Sequence, residues 1–305
     1  MLYVKEGGVL LKLDDWEQIY SRPNYVQDLD LKGKNLKALI GYYKNEPPRT
    51  CGIKSCHATH MKGGIVVTED DLETCIGHIC GSKIFKEKFD VLIQQIEKEV
   101  DFEIYKEAVA TRKSRLFDYW RQAADLTSGT TGILRLAEKI ALLRDPLSVG
   151  RFASMELIRM AANQNSKVAK EEWVQKEEKE LTEEEKKDGK PKYKLEYLIV
   201  GQIRHVDLML SSNDMKKLYQ EEIEEVLRAL QNLDLDKASK RQITSIGRAA
   251  SAIEVRITRA KELKERAIEF LTRENLFPLY EKMLPMDTVS KNDLSLYENF
   301  INSLK

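Results

Sequence analysis

The chain has 305 residues with 50 acidic and 50 basic side chains, so no net field steers the whole molecule toward nucleic acid or an anionic membrane, and any such affinity must come from a local patch. With 42% hydrophobic and 33% charged residues it can bury a core without metal or disulfides throughout, which disfavours extended disorder. Met1 to Glu6 lacks the basic-then-apolar pattern of a secretory signal, and no run nears the roughly 18 apolar residues of a membrane span. A cytosolic home is expected, where clustered cysteines read as metal ligands before they read as disulfides.

In chain order, residues 1 to 45 mix short strand-like pieces, such as Gly8 to Leu13, with Trp16 and a tyrosine-rich segment ending at Tyr42 and Tyr43. Pro47-Pro48 stops any helix and opens a Cys/His region. Gly64 to Thr68, then Glu69-Asp70-Asp71, then Leu72 to Ile76 reads as a β-hairpin with an acidic turn. From Phe85 the apolar positions Phe89, Leu92, Ile96 and Val100 recur every three to four residues, predicting a long helix to about Asp125. Thr127 to Gly132 breaks it and offers caps for a second helix through Leu134, Leu136, Ile140 and Leu143. Asp145-Pro146 closes that helix, and Ser154 to Asn163 forms another.

Residues 167 to 194 are densely charged. They read as a charged β-hairpin turning near Asp188-Gly189 and returning along Tyr193 to Gly201, or alternatively as a disordered loop. In the last third, Tyr219, Ile223, Val226, Leu230 and Leu233 keep a heptad spacing, and Ile246, Ala250, Ile253, Ile257 and Ala260 keep it again. Two long helices joined near Asp234-Leu235-Asp236 would pair as an antiparallel hairpin. The expected fold is mainly α. A small zinc-binding α+β module over 1 to 88 precedes a helical domain with a charged hairpin over 89 to 210, and a coiled-coil-like helical hairpin spans 211 to 305.

All four cysteines and three of the four histidines lie within thirty residues: Cys51, Cys56, His57, His60, Cys75, His78 and Cys80. Zinc takes four Cys or His ligands in a tetrahedron, commonly as two short-spaced pairs brought together by a hairpin. Cys51 and Cys80 are each followed by glycine, which lets backbone turn tightly around a bound sulfur. His60 follows Cys56 by four residues, so one helical turn or compact loop can point both inward. The predicted ligands of a closed, structural zinc site are Cys51, Cys56, His60 and Cys80; a four-cysteine site using Cys75 is the alternative. His57 and His78 then serve as supporting partners of the ligands or as surface residues.

The segments Cys51-Gly52-Ile53-Lys54-Ser55-Cys56-His57-Ala58-Thr59-His60 and Ile76-Gly77-His78-Ile79-Cys80-Gly81 resemble a cassette of uncharacterised bacteriophage and prophage proteins, over about 40 residues. The resemblance implies a bacterial virus or its host as the source and no particular activity. It also implies that the position of Cys75 need not be cysteine.

Other chemistry is weaker. A His-metal nuclease would cast His57 or His60 as general base, but the paired CxxC spacings and a downstream Asn and His in the right places are missing. Ser128 to Gly132 lacks the Gly-Lys-Ser/Thr ending of a phosphate-binding loop and follows a helix, so it reads as an interhelical cap. Arg248, Arg256, Arg259 and Lys264 lie on a basic stretch that can grip phosphates, although interspersed glutamates suit a solvated face equally well. Arg112, Lys113, Arg115 and Arg121, beside Tyr119 and Trp120, form a second basic group, and His205 reads as structural. The expected activity is a non-enzymatic zinc-containing adaptor that binds a protein partner or self-associates through its helices. The alternative is a nucleic-acid-binding protein using the zinc module and the basic helix.

Overall fold

The computed structural model describes residues 1–188 and 190–304, with the side chains of residues 45 and 46 outside the description. Its N-terminal part is a five-stranded antiparallel sheet. Strands β1 (Leu2–Glu6) and β2 (Val9–Leu13) turn through Gly7 and Gly8, both with φ above zero, where glycine carries no steric penalty. The short helix α1 (Glu17–Tyr20) follows, then β3 (Leu36–Thr50), β4 (Thr59–Thr68) and β5 (Glu73–Gly77), in the spatial order β2-β1-β3-β4-β5. The predicted hairpin with an acidic turn is β4–β5. Its Asp70 and Asp71 pair with Lys34 and Lys37.

Strand alternation sends neighbouring residues to opposite faces. Tyr3, Tyr42, Val66 and Ile76 pack with Phe89, Ile93, Ile96 and Val100 of helix α2 (His78–Ser114), together with Leu29, Leu36, Cys51 and Ile53. Their sequence neighbours Leu2, Val4, Tyr43, Ile65 and Cys75 face the other way, against Trp16 and Ile19 at α1. The predicted periodicity of α2 is therefore its sheet-facing stripe. The helix starts earlier than expected, directly where β5 ends, and breaks at Lys86, whose φ is 53°. Gly81 comes so close to the Phe89 ring that a Cβ would lie 2.3 Å from it, which is how the two sides of the break pack.

Helices α3 (Leu116–Thr127), α4 (Ile133–Arg144), α5 (Pro146–Val149) and α6 (Arg151–Ala162) follow. The predicted single helix to Asp125 is thus interrupted near Arg115. The Thr127 and Ser128 hydroxyls donate to carbonyls of Ala124 and Asp125 and so close α3; they do not cap α4, which begins after Gly132 with no side-chain cap. The charged segment is an ordered two-stranded hairpin of β6 (Lys167–Gln175) and β7 (Tyr193–Gln202), joined through the short helix α7 (Glu183–Asp188). Of the expected Asp188-Gly189 turn, Gly189 lies outside the described residues.

Helices α8 (Met215–Tyr219), α9 (Glu225–Asn232), α10 (Lys240–Ser251), α11 (Ile253–Phe270), α12 (Arg273–Met283) and α13 (Lys291–Asn302) complete the chain. Helices occur where the heptad spacing places them, but a π-helical turn at Gln220–Glu224 and a break at Ala252 interrupt both runs. Two compact units result: Met1–Thr111 with Leu233–Arg248, and Arg112–Asn232 with Ala249–Lys305. In the first, Lys240 lies over the Phe102 ring and Gly247 abuts Tyr105, so 233–248 belong with the N-terminal module. In the second, α8 and the π-helical turn after it pack on α11, and Leu218, Ile223, Ile257 and Ala260 of these elements are buried. Helix predominates over strand in the chain as a whole, after an N-terminal sheet, and among the described residues no helix is long and apolar enough to cross a membrane.

Candidate metal centre

Three of the four cysteines converge. The sulfurs of Cys51, Cys56 and Cys80 all lie within 4.8 Å of one another, with Cys56 and Cys80 3.2 Å apart. Three sulfurs bound at about 2.3 Å to one tetrahedral ion would sit roughly 3.8 Å apart, so the spacing suits a single soft cation. Cys51 is buried, while Cys56 and Cys80 are partly exposed at the mouth of the group.

Local backbone explains the convergence. Cys51 follows the last residue of β3, and its N–H donates to the Ala58 carbonyl at 2.9 Å, closing a loop that carries Cys56 back toward it. Gly52 is clamped in that loop. Its N–H donates to the Cys75 carbonyl at 2.8 Å, and its carbonyl accepts from the Leu29 amide at 2.8 Å and from the Thr74 hydroxyl at 3.1 Å. A Cβ on Gly52 would meet Thr74 Oγ1 at 2.1 Å, so only glycine fits beside Cys51. Cys80 arrives from the opposite side, in the first turn of α2 immediately after β5.

The sulfurs sit among backbone donors. Burial pushes the Cys51 thiol up to about 12, against amide donation from Ile53 and Gly77, which favours its thiolate. The Ala58 amide and then Cys80 hold the Cys56 thiol below the ordinary cysteine value. Burial and the neighbouring Cys56 raise Cys80, and Lys83 draws in the other direction. Each of Cys51 and Cys56 thus receives an N–H two residues ahead. Three thiols this close cannot all ionise unless a cation lies among them, and a divalent metal supplies that charge while displacing the protons. The donor set is all sulfur, which matches a soft or borderline ion such as zinc and not magnesium or calcium.

His60 and Cys75 do not join the three, so the closed four-ligand site expected from the spacing is not formed: among the described residues only three ligands converge. Cys75 lies on β5 one position from Ile76, so alternation turns it to the α1 face, where it is buried with its sulfur 3.4 Å from the Tyr25 hydroxyl and 3.5 Å from the Thr50 carbonyl. His60 belongs to β4 and not to a helical turn after Cys56. Its ring stacks on Tyr43, with Nδ1 3.0 Å from the Tyr43 hydroxyl, and lies over Gly77. Burial lowers its pKa, and its Nε2 is buried without a hydrogen-bond partner among the described residues. His57 is exposed, 3.5 Å from Asp28, and His78 is exposed beside Phe89; neither enters the sulfur group. The amides of Ile53, Ala58 and Gly77 carry no side-chain signal, so the sequence could not reveal them as thiolate donors.

The four predicted phosphate-binding cations are engaged inside their own units. Arg248 lies over the Tyr105 ring at 5.6 Å. Arg256 pairs with Glu222 at 3.1 Å and donates to the Ala249 carbonyl, Arg259 donates to the Ser212 carbonyl at 2.6 Å, and Lys264 to the Asp125 carbonyl at 2.9 Å. In the second basic group, Arg112 and Arg115 converge on Glu254, which also accepts from Tyr119. His205 bridges Glu269 and Arg266.

No family model, curated protein or solved structure matches this chain.

Proposed function

We propose that the chain is a non-enzymatic adaptor. Zinc on Cys51, Cys56 and Cys80 stiffens its N-terminal module, and its helical unit docks a protein partner through the hairpin β6–β7. The observation that carries the docking is the face of that hairpin. Trp173 pairs across with Leu195, and Tyr197 lies one position further along the same face. Trp173 and Tyr197 are each 69% exposed, and with Phe152, Pro285 and Met286 they line an open groove of about 740 Å³. Exposed aromatic anchors beside an open groove are the composition of protein-binding hot spots, whereas isolated apolar side chains need no such explanation. Among the described residues β6 and β7 pair only with each other, so each has an outer edge that strand addition could use.

The bacteriophage or prophage source implied by the cassette belongs to this reading as a source only and lends the adaptor role no support. Nucleic-acid binding is the weaker alternative because Arg256, Arg259 and Lys264 already satisfy carbonyls and a carboxylate of their own unit. Capture from host lysate with wild-type chain and with Trp173→Glu/Tyr197→Glu tests the reading. A partner, or a concentration-dependent self-association, that the double variant loses while keeping its melting temperature supports it. A salt-steep affinity for DNA or RNA that the double variant retains would replace it with the alternative.

A further inference from the structure

The opposite face of the N-terminal sheet holds a second cluster that neither the metal nor the adaptor reading uses. Trp16 and Tyr43 meet edge to face at 4.9 Å, Tyr43 stacks on His60 at 5.7 Å, and the Arg49 guanidinium lies 5.0 Å over the Trp16 ring. Arg49 and His60 are cross-strand partners on β3 and β4, so the cluster is continuous. Five buried side-chain nitrogens lack a hydrogen-bond partner among the described residues. Three of them, Trp16 Nε1, Arg49 Nε and His60 Nε2, sit in this one cluster. Buried polar atoms are normally paired, and both Trp and Arg nitrogens can only donate, so the matching group is an acceptor.

Arg49 also forms no ion pair with a carboxylate among the described residues. It opens onto a cleft of about 590 Å³ lined by Tyr20, Tyr25, Gln27, Pro48, Arg49 and Thr50. Tyr20 and Tyr25 stand 5.4 Å apart with their rings tilted, and Tyr20 continues the aromatic chain to Trp16 at 5.9 Å. The cleft therefore combines two aromatic walls, an amide, a hydroxyl and one uncompensated guanidinium, at a size within the range of small-molecule sites. Guanidinium forks recognise carboxylate and phosphate, and tyrosine rings take flat apolar groups.

We propose that this cleft binds a small aromatic anion, with its flat ring against Tyr20 and Tyr25 and its phosphate or carboxylate on Arg49. The site is independent of the cysteine group, which packs on the other face of the sheet.

Titration calorimetry with the full-length chain, using phenyl phosphate, benzoate and adenosine monophosphate as probes and inorganic phosphate and adenosine as controls, tests the proposal. At least one aromatic anion should bind at micromolar to millimolar concentration, and each control should bind about tenfold more weakly or worse. Phenyl phosphate against benzoate distinguishes a phosphate from a carboxylate ligand. Arg49→Gln should weaken binding about tenfold or more, because it removes a charged hydrogen-bond donor. Should Arg49→Gln fail to melt cooperatively, the partly exposed Tyr20→Ala serves, with a several-fold loss for the aromatic anion and no change for inorganic phosphate. The proposal is overturned if no aromatic anion binds the wild-type chain at millimolar concentration. It is equally overturned if a folded Arg49→Gln or Tyr20→Ala chain binds as tightly as wild type.

Discussion

The two faces of the N-terminal sheet are built from the same strands and carry opposite chemistry. Under α2, Cys51, Cys56 and Cys80 gather with backbone amides aimed at two of their sulfurs; burial still raises the Cys51 and Cys80 thiols and only Cys56 is lowered, so a cation among them would have to displace protons. On the α1 face, Cys75 is a buried thiol placed between a phenol and a carbonyl, and the cationic Arg49 waits above Trp16. Cys80 joins Cys51 across 29 positions of chain, whereas Cys75, five residues nearer, is excluded. Strand parity decides this, since a side chain can reach only the face to which its position in the pleat turns it.

Substitutions can break the contrast, and the largest effect should come from the face that carries the three-cysteine group. Cys51→Ser should abolish metal binding and unfold the N-terminal module, because structural zinc contributes on the order of 10 kcal/mol apparent to folding; circular dichroism melting with and without chelator reads it. Gly52→Ala should cost about 1–3 kcal/mol, since the added methyl would overlap the Thr74 hydroxyl, and denaturant midpoints measure that loss.

On the opposite face the effects should be smaller. Cys75→Ala should keep the metal and cost roughly 1–2 kcal/mol as an ordinary core truncation. It should also flatten the alkaline limb of stability. Burial raises the Cys75 pKa, so its contribution is complete below the unfolded thiol value of about 8.5 and is lost as pH rises through the folded value. His60 acts with the other sign. Burial depresses its pKa, so its contribution is present above about 6.5 and lost as pH falls, and His60→Ala should flatten the acid limb without releasing metal. Urea titrations across pH resolve the two limbs.

Much of this contrast was legible in the residues. The clustering of Cys51, Cys56 and Cys80 and the return of the chain through an acidic-turn hairpin were readable because spacing and turn chemistry are local. Cys75 was left out of the expected ligand set, but the buried face it occupies was not readable, since that depends on how β3, β4 and β5 align, which spacing alone does not encode. His60, four residues after Cys56, suits a helical turn or a compact loop, but a strand begins at Thr59 and the ring stacks on Tyr43. The start of α2 at His78 was hidden by Gly77 and Gly81, which look like turn residues and instead serve close packing against His60 and Phe89. Pro47-Pro48 was visible only as a helix stop, although Pro48 lines the cleft beside Arg49. The grouping of 233–248 with the N-terminal module rests on contacts such as Gly247 with Tyr105, more than a hundred residues apart, which no local pattern announces.

The most direct measurement is zinc content per chain by elemental analysis of wild type beside single Ser variants of all four cysteines. One zinc in wild type and in Cys75→Ser, with none in the Cys51, Cys56 and Cys80 variants, is the predicted result. A chain without zinc, or a Cys75→Ser variant that loses it while Cys80→Ser keeps it, would contradict the assignment.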